Sequence, residues 1–261
     1  MFWCKNQIEL TPTLRKIWRG TDMFAEIFKT QGKVYRQEKN RKTLRFCVDG
    51  KGYFLKLHQG VGWKEIFKNI LQGRWPVLGA DQEWHAIRRL KQIGVPTMEL
   101  LGHGQRGWNP AQLQSFIVTA ELTNTVSLED FCGNWAQQPP SLKLKRALIA
   151  EVAKIAKLIH TNGLNHRDFY ICHFLLQQAS NAKLQLFLID LHRMQRRTRT
   201  PQRWIIKDLA GLYFSSMDLG LTQRDLWWFV KHYNEQKDSS FWSKVTKKAQ
   251  ALYQKVHLRK S

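Results

Sequence analysis

The segment NHRDFYICHFLL, residues 165–176, places a histidine, an arginine and an aspartate side by side directly before an apolar run. The residues before this segment carry apolar side chains at the spacing of one helical face, and an Asn-Gly pair ends that pattern. The apolar run and the apolar residues 184–190 predict two short strands joined by a polar turn. We therefore expect Asp168 on a loop between a long helix and a β-hairpin, and Asp190 at the end of that hairpin.

The residues upstream predict a second, strand-rich region. Antiparallel strands with polar turns between them are indicated by three runs rich in β-branched and aromatic residues, KVYRQE, KTLRFCVD and GYFLKLH. Two helical patterns follow, WKEIFKNILQ and DQEWHAIRRLKQIG, and then a buried-strand pattern, SFIVTAEL. Because strands dominate the first half and helices the second, we predict an α+β fold with a strand-rich domain at residues 1–122 and a helical domain at residues 123–261.

The composition narrows the kind of protein and the kind of partner. The 42 lysines and arginines oppose 20 acidic residues, and the formal charge of +22 points to nucleic acid, anionic lipid or phosphorylated substrates as partners. The four cysteines are widely spaced and form no CxxC pair, so neither a disulfide framework nor a zinc site is predicted. The sequence shows no signal-peptide pattern, and no apolar run reaches the roughly 18 residues of a membrane span. We expect a protein without a transmembrane segment, in the cytoplasm or at the cytoplasmic face of a membrane.

Four polar residues occur in the order of the phosphoryl-transfer set of protein-kinase-like enzymes. Lys56, on a strand, would neutralise the inner phosphates of ATP, and Glu83, on a helix, would hold that lysine through an ion pair; Glu65 is the alternative partner. Asp168 would accept the hydrogen bond of the attacking hydroxyl and orient it. Asp190, at the end of a strand, would bind Mg²⁺, which bridges phosphate oxygens. This set predicts a bilobal protein-kinase-like fold and a kinase activity.

The nucleotide and metal sites depart from the protein-kinase pattern in three places, one of which is the segment Asp190-Leu191-His192, where a glycine is expected at the third position. The metal-binding asparagine expected five residues after Asp168 is replaced by His173, a poor Mg²⁺ ligand that would act through a water or only pack, because Mg²⁺ prefers oxygen. A basic turn, RQEKNRKT (36–43), stands where a G-x-G-x-x-G loop would be. The adenine base is expected against the end of the SFIVTAEL strand, at Thr119, Ala120, Glu121 and Leu122.

Several arginines are expected to bind anionic groups of the acceptor. They lie in the catalytic loop or directly after the metal-binding acid, a segment that borders the acceptor in kinase-like folds: Arg167, Arg193, Arg196, Arg197, Arg199 and Arg203. The alternative for the later segment is a solvated, mobile loop. Asp208, in the KDL tripeptide, is expected to accept backbone amides of the catalytic loop and so to support it.

Several longer stretches resemble one family of kinases. The stretches are LGADQEWHAI, SLEDFC, NHRDFYICHFLL, LIDLHR, KDLAGLYFSSM and GLTQRD. They resemble the lipopolysaccharide core heptose(I) kinases, the WaaP (RfaP) family, and the resemblance covers about residues 18–225. The resemblance implies a Gram-negative bacterial enzyme, cytoplasmic and peripheral to the inner membrane. It implies that ATP and Mg²⁺ are used to phosphorylate the O-4 hydroxyl of the first heptose of the lipopolysaccharide inner core, with Asp168 as the catalytic aspartate. It also implies acyl carrier protein as a partner.

Other interpretations remain open from the sequence. A kinase-like enzyme acting on protein tyrosine or on another sugar would use the same residues, because the loop orients any hydroxyl. A nucleic-acid-binding protein would suit the basic charge and the 11 tryptophans, but it leaves the catalytic set unexplained, so we expect no nucleic-acid partner. An inactive scaffold conflicts with the intact Asp168 and Asp190. The apolar stripe at residues 241–256 is expected on the core, with a membrane-surface helix as the alternative.

Overall fold

The computed structural model describes residues 7–38, 40–71, 79–178, 184–233 and 238–258. The chain forms two compact units, one of Met1–Arg88 with Met98–Leu122, the other of Arg89–Thr97 with Thr123–Ser261. The assignment of separate roles to residues 1–122 and 123–261 stays a prediction. The cysteines at positions 47, 132 and 172 are free thiols, and Cys4 lies outside the described residues.

The first unit is built on a six-stranded antiparallel sheet with the strand order β1-β5-β6-β4-β3-β2. Its elements are β1 (Gln7–Leu10), α1 (Pro12–Ile17), α2 (Met23–Phe28), β2 (Lys33–Glu38), β3 (Arg41–Val48), β4 (Lys51–Gln59), α3 (Gly62–Leu71), most of α4 (Asp81–Gln92), β5 (Leu100–Arg106) and β6 (Gln114–Ala120); the part of α4 from Arg89 onward belongs to the second unit. The predicted meander is confirmed as β2, β3 and β4, which pair in chain order. The predicted buried strand is β6.

Side-chain alternation in this sheet separates an apolar face from a polar one. Leu55 and Leu57 of β4 are buried in the core of the unit, together with Trp18, which directly follows α1, and Phe24 of α2. Lys56 lies between the two leucines, and successive strand residues face opposite sides of a sheet. The burial of the leucines therefore fixes the direction in which Lys56 projects.

The second unit is mainly helical and carries two small antiparallel sheets, β10-β9-β7 and β11-β8. Its elements after α4 are β7 (Thr125–Ser127), α5 (Leu128–Cys132), α6 (Leu142–Thr161), β8 (Leu164–Asn165), β9 (Phe174–Gln177), β10 (Leu186–Leu188), β11 (Gln195–Arg196), α7 (Gln202–Ser216), α8 (Gln223–Tyr233) and α9 (Ser239–His257). Single turns of 3-10 helix at Ile171–His173 and Leu191–Arg193 lie before β9 and after β10.

The elements around the catalytic segment are those that its sequence predicts. Gly163 ends the long helix α6 at φ +75°, and a Cβ there would lie 1.9 Å from the carbonyl oxygen of Arg197, so only glycine fits. β9 and β10 form the predicted antiparallel hairpin. The turn between them, residues 179–183, lies outside the described residues.

The apolar stripe of the C-terminal helix faces the interior of the second unit. Phe241, Val245 and Ala249 of α9 are buried, and α9 packs on α7. The interpretation of this stripe as core is confirmed for these three residues and is wrong for Val256, which is 38% exposed. None of the described helices combines the length and the apolar character that crossing a membrane requires.

Candidate active site

The first half of the predicted catalytic set is an ion pair inside the first unit. Lys56 projects from β4 and Glu83 from the first turn of α4, and Lys56 Nζ lies 2.5 Å from Glu83 Oε1. The Glu83 side chain is 1% exposed and the Lys56 side chain 23%. Because a buried carboxylate needs a partner, this pair holds the ammonium group at one place on the sheet. The side chain of the rival residue, Glu65, lies outside the described residues.

The end of β6, where the adenine base is expected, is tied into the sheet. Thr119 is buried, and the amides of Ala120 and Glu121 each donate to a backbone carbonyl of the same unit at 3.0 Å. These two amides therefore cannot also serve as donors to a base. Two hydrogen bonds from Arg45, at 2.6 and 2.7 Å, lower the pKa of the Glu121 carboxyl. Nucleotide-binding roles for this stretch, including Leu122, stay predictions.

The catalytic loop of the second unit is held by a fully buried carboxylate. Asp208 of α7 accepts the backbone amide of His166 at 2.6 Å and that of Arg167 at 2.9 Å, which confirms the predicted support. Arg167 has φ +74°, a left-handed conformation that is uncommon for residues with a side chain and is often found at functional sites. His166 donates through Nε2 to the carbonyl of Ile189 at 2.9 Å, and burial lowers the pKa of this histidine. The backbone next to Asp168 is therefore fixed.

The predicted catalytic carboxylate is bound by an arginine. Arg193 donates through Nη1 to both oxygens of Asp168, at 2.8 and 3.0 Å. The Asp168 side chain is 17% exposed, and that of Arg193 is 39% exposed. Such a charge-assisted contact orients the carboxylate and places positive charge beside it. Arg193 was expected to contact the acceptor; it lies at the catalytic acid, and a contact with the acceptor stays a prediction.

Asp190 lies beside two histidines at the end of the hairpin. His173 donates through Nδ1 to the carbonyl of Asp168 at 2.7 Å, and its Nε2 lies 3.4 Å from Asp190 Oδ2. His192 Nδ1 donates to Asp190 Oδ1 at 2.6 Å. Asp190 itself adopts the left-handed conformation, with φ +59°. The hydrogen bond from His192 therefore orients its carboxylate, and His173 lies on the other side of it.

The donors at this place fit a magnesium ion held by one carboxylate. Within the described ranges, no group of three or more His, Cys, Asp or Glu side chains converges to hold a metal ion. Mg²⁺ is commonly bound by one or two carboxylates together with phosphate oxygens and waters. Asp190 would supply that carboxylate, and His173 would act through a water, because imidazole is a poor Mg²⁺ ligand.

The arginines predicted to bind the acceptor do not all lie together. Arg167 and Arg197 share one aromatic neighbour, since their guanidinium carbons lie 5.4 and 5.6 Å from the ring centroid of Trp204. Arg196 and Arg199 are exposed, and neither contacts the Trp204 ring in the described part of the chain. The structure thus separates two arginines beside the catalytic loop from two on the surface.

Two of the three residues of α7 that lie in this region, Trp204 and Lys207, were not foreseen, whereas Arg203 was predicted with the arginines that follow Asp190. Trp204, Arg203 and Lys207 lie there, the last two at 5.5 Å from the Trp204 centroid. The signal available in the sequence was the RWIIK pattern, in which residues three apart share one helical face. By itself this pattern indicates at most a helical face, because nothing local relates it to a loop more than 30 residues earlier.

Each unit by itself carries groups of the kind that phosphoryl transfer requires. The first unit supplies a fixed ammonium ion for phosphates, and the second supplies a rigid loop with an oriented carboxylate and a candidate metal ligand. Positioning and charge stabilisation account for most of phosphoryl-transfer catalysis, and these are the functions that such groups serve. The catalytic roles of the individual residues stay predictions.

Known proteins resemble this chain over most of its length. Residues 25–233 match the family model described as lipopolysaccharide kinase (Kdo/WaaP) family. The chain is 54% identical over 229 residues to lipopolysaccharide core heptose(I) kinase WaaP of Escherichia coli (strain K12), covering 87% of this chain and 86% of that protein. It is 51% identical over 230 residues to the protein of the same name from Pseudomonas aeruginosa, with the same coverage, 87% and 86%.

A solved structure is also similar. The structure of WaaP in complex with acyl carrier protein matches with a TM-score of 0.82 at 43% identity, over 95% of this chain and 99% of that chain. This similarity confirms the predicted α+β, protein-kinase-like fold, with its antiparallel-sheet unit and its mainly helical unit.

Proposed function

Because the chain belongs to the lipopolysaccharide kinase (Kdo/WaaP) family, we propose that it transfers the γ-phosphate of ATP to the O-4 hydroxyl of the first heptose of the lipopolysaccharide inner core. Relatives named heptose(I) kinases, 51% and 54% identical, make it a lipopolysaccharide core heptose kinase. The observation that carries the chemistry is the ion pair of Lys56 and Glu83 at 2.5 Å. An ammonium ion held at one place on a sheet is suited to binding the phosphates of a nucleotide.

Each residue of the catalytic set has one task in this proposal. Lys56 binds the inner phosphates, and Glu83 keeps its ammonium group in place. Asp168 accepts a hydrogen bond from the acceptor hydroxyl, orients the oxygen for in-line attack and takes its proton. Arg193 holds the Asp168 carboxylate in that orientation. Asp190 would hold Mg²⁺, which, when bound, supplies positive charge to the phosphate oxygens.

The test is transfer of ³²P from [γ-³²P]ATP to lipopolysaccharide whose core lacks the heptose phosphate, with protein and RNA present as rival acceptors. We expect label in the lipopolysaccharide, and NMR of the product should place it on heptose O-4. Label in a tyrosine-containing protein or in another sugar would favour the other kinase interpretations. Binding of RNA without any transfer would favour a nucleic-acid-binding protein.

We also propose acyl carrier protein as a partner. The 43% identical relative was solved in complex with acyl carrier protein. The net charge of +22 suits an acidic partner. An apolar cavity of about 640 Å³ in the second unit offers room for an acyl chain, with Leu148, Leu209, Leu226 and Val245 among its walls.

The partner proposal is tested by comparing acylated and unacylated carrier protein in size-exclusion chromatography. We expect a complex with the acylated form, and we expect Leu226→Trp, which fills the cavity, to weaken it. Leu142→Trp is the matched control, because Leu142 is a 56% exposed leucine of the same unit. Equal binding of both carrier forms, unchanged by Leu226→Trp, would show that the cavity takes no acyl chain.

We further propose that the enzyme acts at the cytoplasmic face of the inner membrane. Trp63, Phe67 and Leu71 recur every four residues along α3 and are 50%, 58% and 88% exposed. An apolar helical face beside lysines favours an anionic membrane surface. Trp63→Ser should reduce co-sedimentation with phosphatidylglycerol vesicles, and Trp108→Ser, at a 68% exposed site of the same unit, should not. Equal sedimentation of both variants with the wild type would contradict the role of α3.

A further inference from the structure

Four cationic side chains surround one tryptophan beside the catalytic loop. The charged centres of Arg167, Arg197, Arg203 and Lys207 lie 5.4, 5.6, 5.5 and 5.5 Å from the ring centroid of Trp204. We call these five residues the Trp204 cluster. A tryptophan ring attracts cations through its π face, so it can gather charges that otherwise repel one another.

The positive charge of the Trp204 cluster is not matched by nearby carboxylates. Because each charged centre lies within 5.6 Å of one centroid, no two are more than about 11 Å apart, close to the screening length of about 10 Å at 0.1 M salt. The acids that act on Arg167 and Lys207 are Asp168 and Asp208. Asp168 already binds Arg193, and Asp208 already accepts two backbone amides. The cluster therefore keeps a surplus of positive charge.

The surroundings of the Trp204 cluster disfavour the charged forms of its side chains. Burial, followed by the charge of Arg193, lowers the pKa of Arg167, and burial followed by the charge of Arg167 lowers the pKa of Lys207. Burial and the neighbouring Arg203 lower the pKa of Arg197. Arg167 Nε is also buried without a hydrogen-bond acceptor in the described part of the chain. A bound anion would supply the missing negative charge and an acceptor for Arg167 Nε, whereas Arg197 already donates to the side chains of Asn165 and Gln195.

We propose that the Trp204 cluster binds an oxyanion of the acceptor, a phosphate or a carboxylate, and thereby places the acceptor hydroxyl at Asp168. This inference rests on the proposed function, since it concerns the acceptor of that reaction. Arg167 directly precedes Asp168 in the catalytic loop, so an anion held here lies next to the reacting group. The arginine fork and the lysine ammonium match the oxygens of either anion. An acceptor without an anion at this place would bind weakly and be poorly aligned.

The experiment measures KM for lipopolysaccharide and for ATP in the ³²P transfer assay. Arg197→Gln/Lys207→Gln should raise KM for lipopolysaccharide at least about tenfold and leave KM for ATP within about twofold, because hydrogen bonds to a charged group are lost. Replacing Lys207 by arginine instead of glutamine keeps the positive charge and should therefore avoid most of the rise in KM for lipopolysaccharide. The control Arg224→Gln/Lys248→Gln removes the same charge from exposed sites of the second unit and should behave like the wild type.

A second measurement does not depend on turnover. Inorganic phosphate should raise the Tm of the wild type and fail to do so in Arg197→Gln/Lys207→Gln. Lipopolysaccharide treated with phosphatase lacks phosphates, and carboxyl-reduced lipopolysaccharide lacks carboxylates. The treatment that removes the bound anion should raise KM for the wild type and leave KM for the variant unchanged.

Three results would overturn the inference while leaving the kinase assignment intact. They are an unchanged KM for lipopolysaccharide in Arg197→Gln/Lys207→Gln, an equal loss in the control double variant, and an equal rise of Tm with phosphate in wild type and variant. A wild type that transfers no label to any lipopolysaccharide would instead contradict the proposed function.

Discussion

Replacing Glu83 by glutamine should lower kcat/KM for ATP about 10- to 150-fold without unfolding the protein. The substitution keeps the shape of a side chain that is 1% exposed and keeps an oxygen that can accept from Lys56, but it removes the charge. A hydrogen bond to a charged partner contributes about 1.5–3 kcal/mol. About 1.4 kcal/mol corresponds to a factor of ten in rate, which gives the stated range.

The assay is steady-state ³²P transfer at varied ATP, together with thermal unfolding to show that the fold is retained. Lys56→Ala should be more damaging than Glu83→Gln, because it removes the group that meets the phosphates as well as the ion pair. Glu65→Gln is the control and should retain wild-type kinetics. If Glu83→Gln kept wild-type kcat/KM while Glu65→Gln lost it, the partner of Lys56 during turnover would be Glu65, and the inference from the ion pair would be wrong.

Three further predictions concern the second unit. Asp168→Ala should lower kcat, measured by ³²P transfer, about 10²–10⁴-fold, and calorimetry should show that ATP binding is retained. Near-normal turnover would contradict the role of Asp168 as the base. Asp208→Ala leaves two buried amides without an acceptor and should cost about 2–6 kcal/mol in urea unfolding, so a loss below 1 kcal/mol would mean that water replaces the carboxylate. Asp225→Ala breaks a buried pair with Lys145 at 2.9 Å and should cost about 3–5 kcal/mol. Burial raises the pKa of Asp225, but hydrogen bonds from Thr222 and Lys145 outweigh burial and leave the pKa below its usual 3.8. The pair therefore stabilises the fold above pH 3.8, and this stabilisation is lost as the pH falls below that value. If the unfolding of Asp225→Ala kept the wild-type pH dependence below pH 3.8, the assignment would be refuted.

The sequence predicted the parts of the site that depend on order along the chain. The strand position of Lys56, the helix position of Glu83 and the loop position of Asp168 follow from periodicity and turn residues, and the structure shows the Lys56–Glu83 contact directly. The support of the catalytic loop by Asp208 was also predicted and is confirmed. Sequence similarity then identified the family, because the matching stretches are long and occur in a fixed order.

Other features could not be read from the sequence, because they depend on side chains that only folding brings together. The contact of Arg193 with Asp168 joins residues 25 positions apart, and no local pattern distinguishes it from a contact with the acceptor. The helical periodicity of α3 was recognised, yet the exposure of Trp63 and Phe67 was not, since periodicity shows that a face is apolar but not what covers it.

Patterns in the sequence by themselves determined the class of fold, the order of the catalytic residues and the family, since hydrophobic spacing, turn residues and motif order are properties of neighbouring residues. Only the tertiary structure decided which arginines lie at the catalytic loop. Arg167 and Arg197 meet on Trp204, whereas Arg196, next in sequence to Arg197, is exposed. The physical reason is that the charge near a group depends on distance in space and on burial, and both are fixed only when the loop, β11 and α7 pack together.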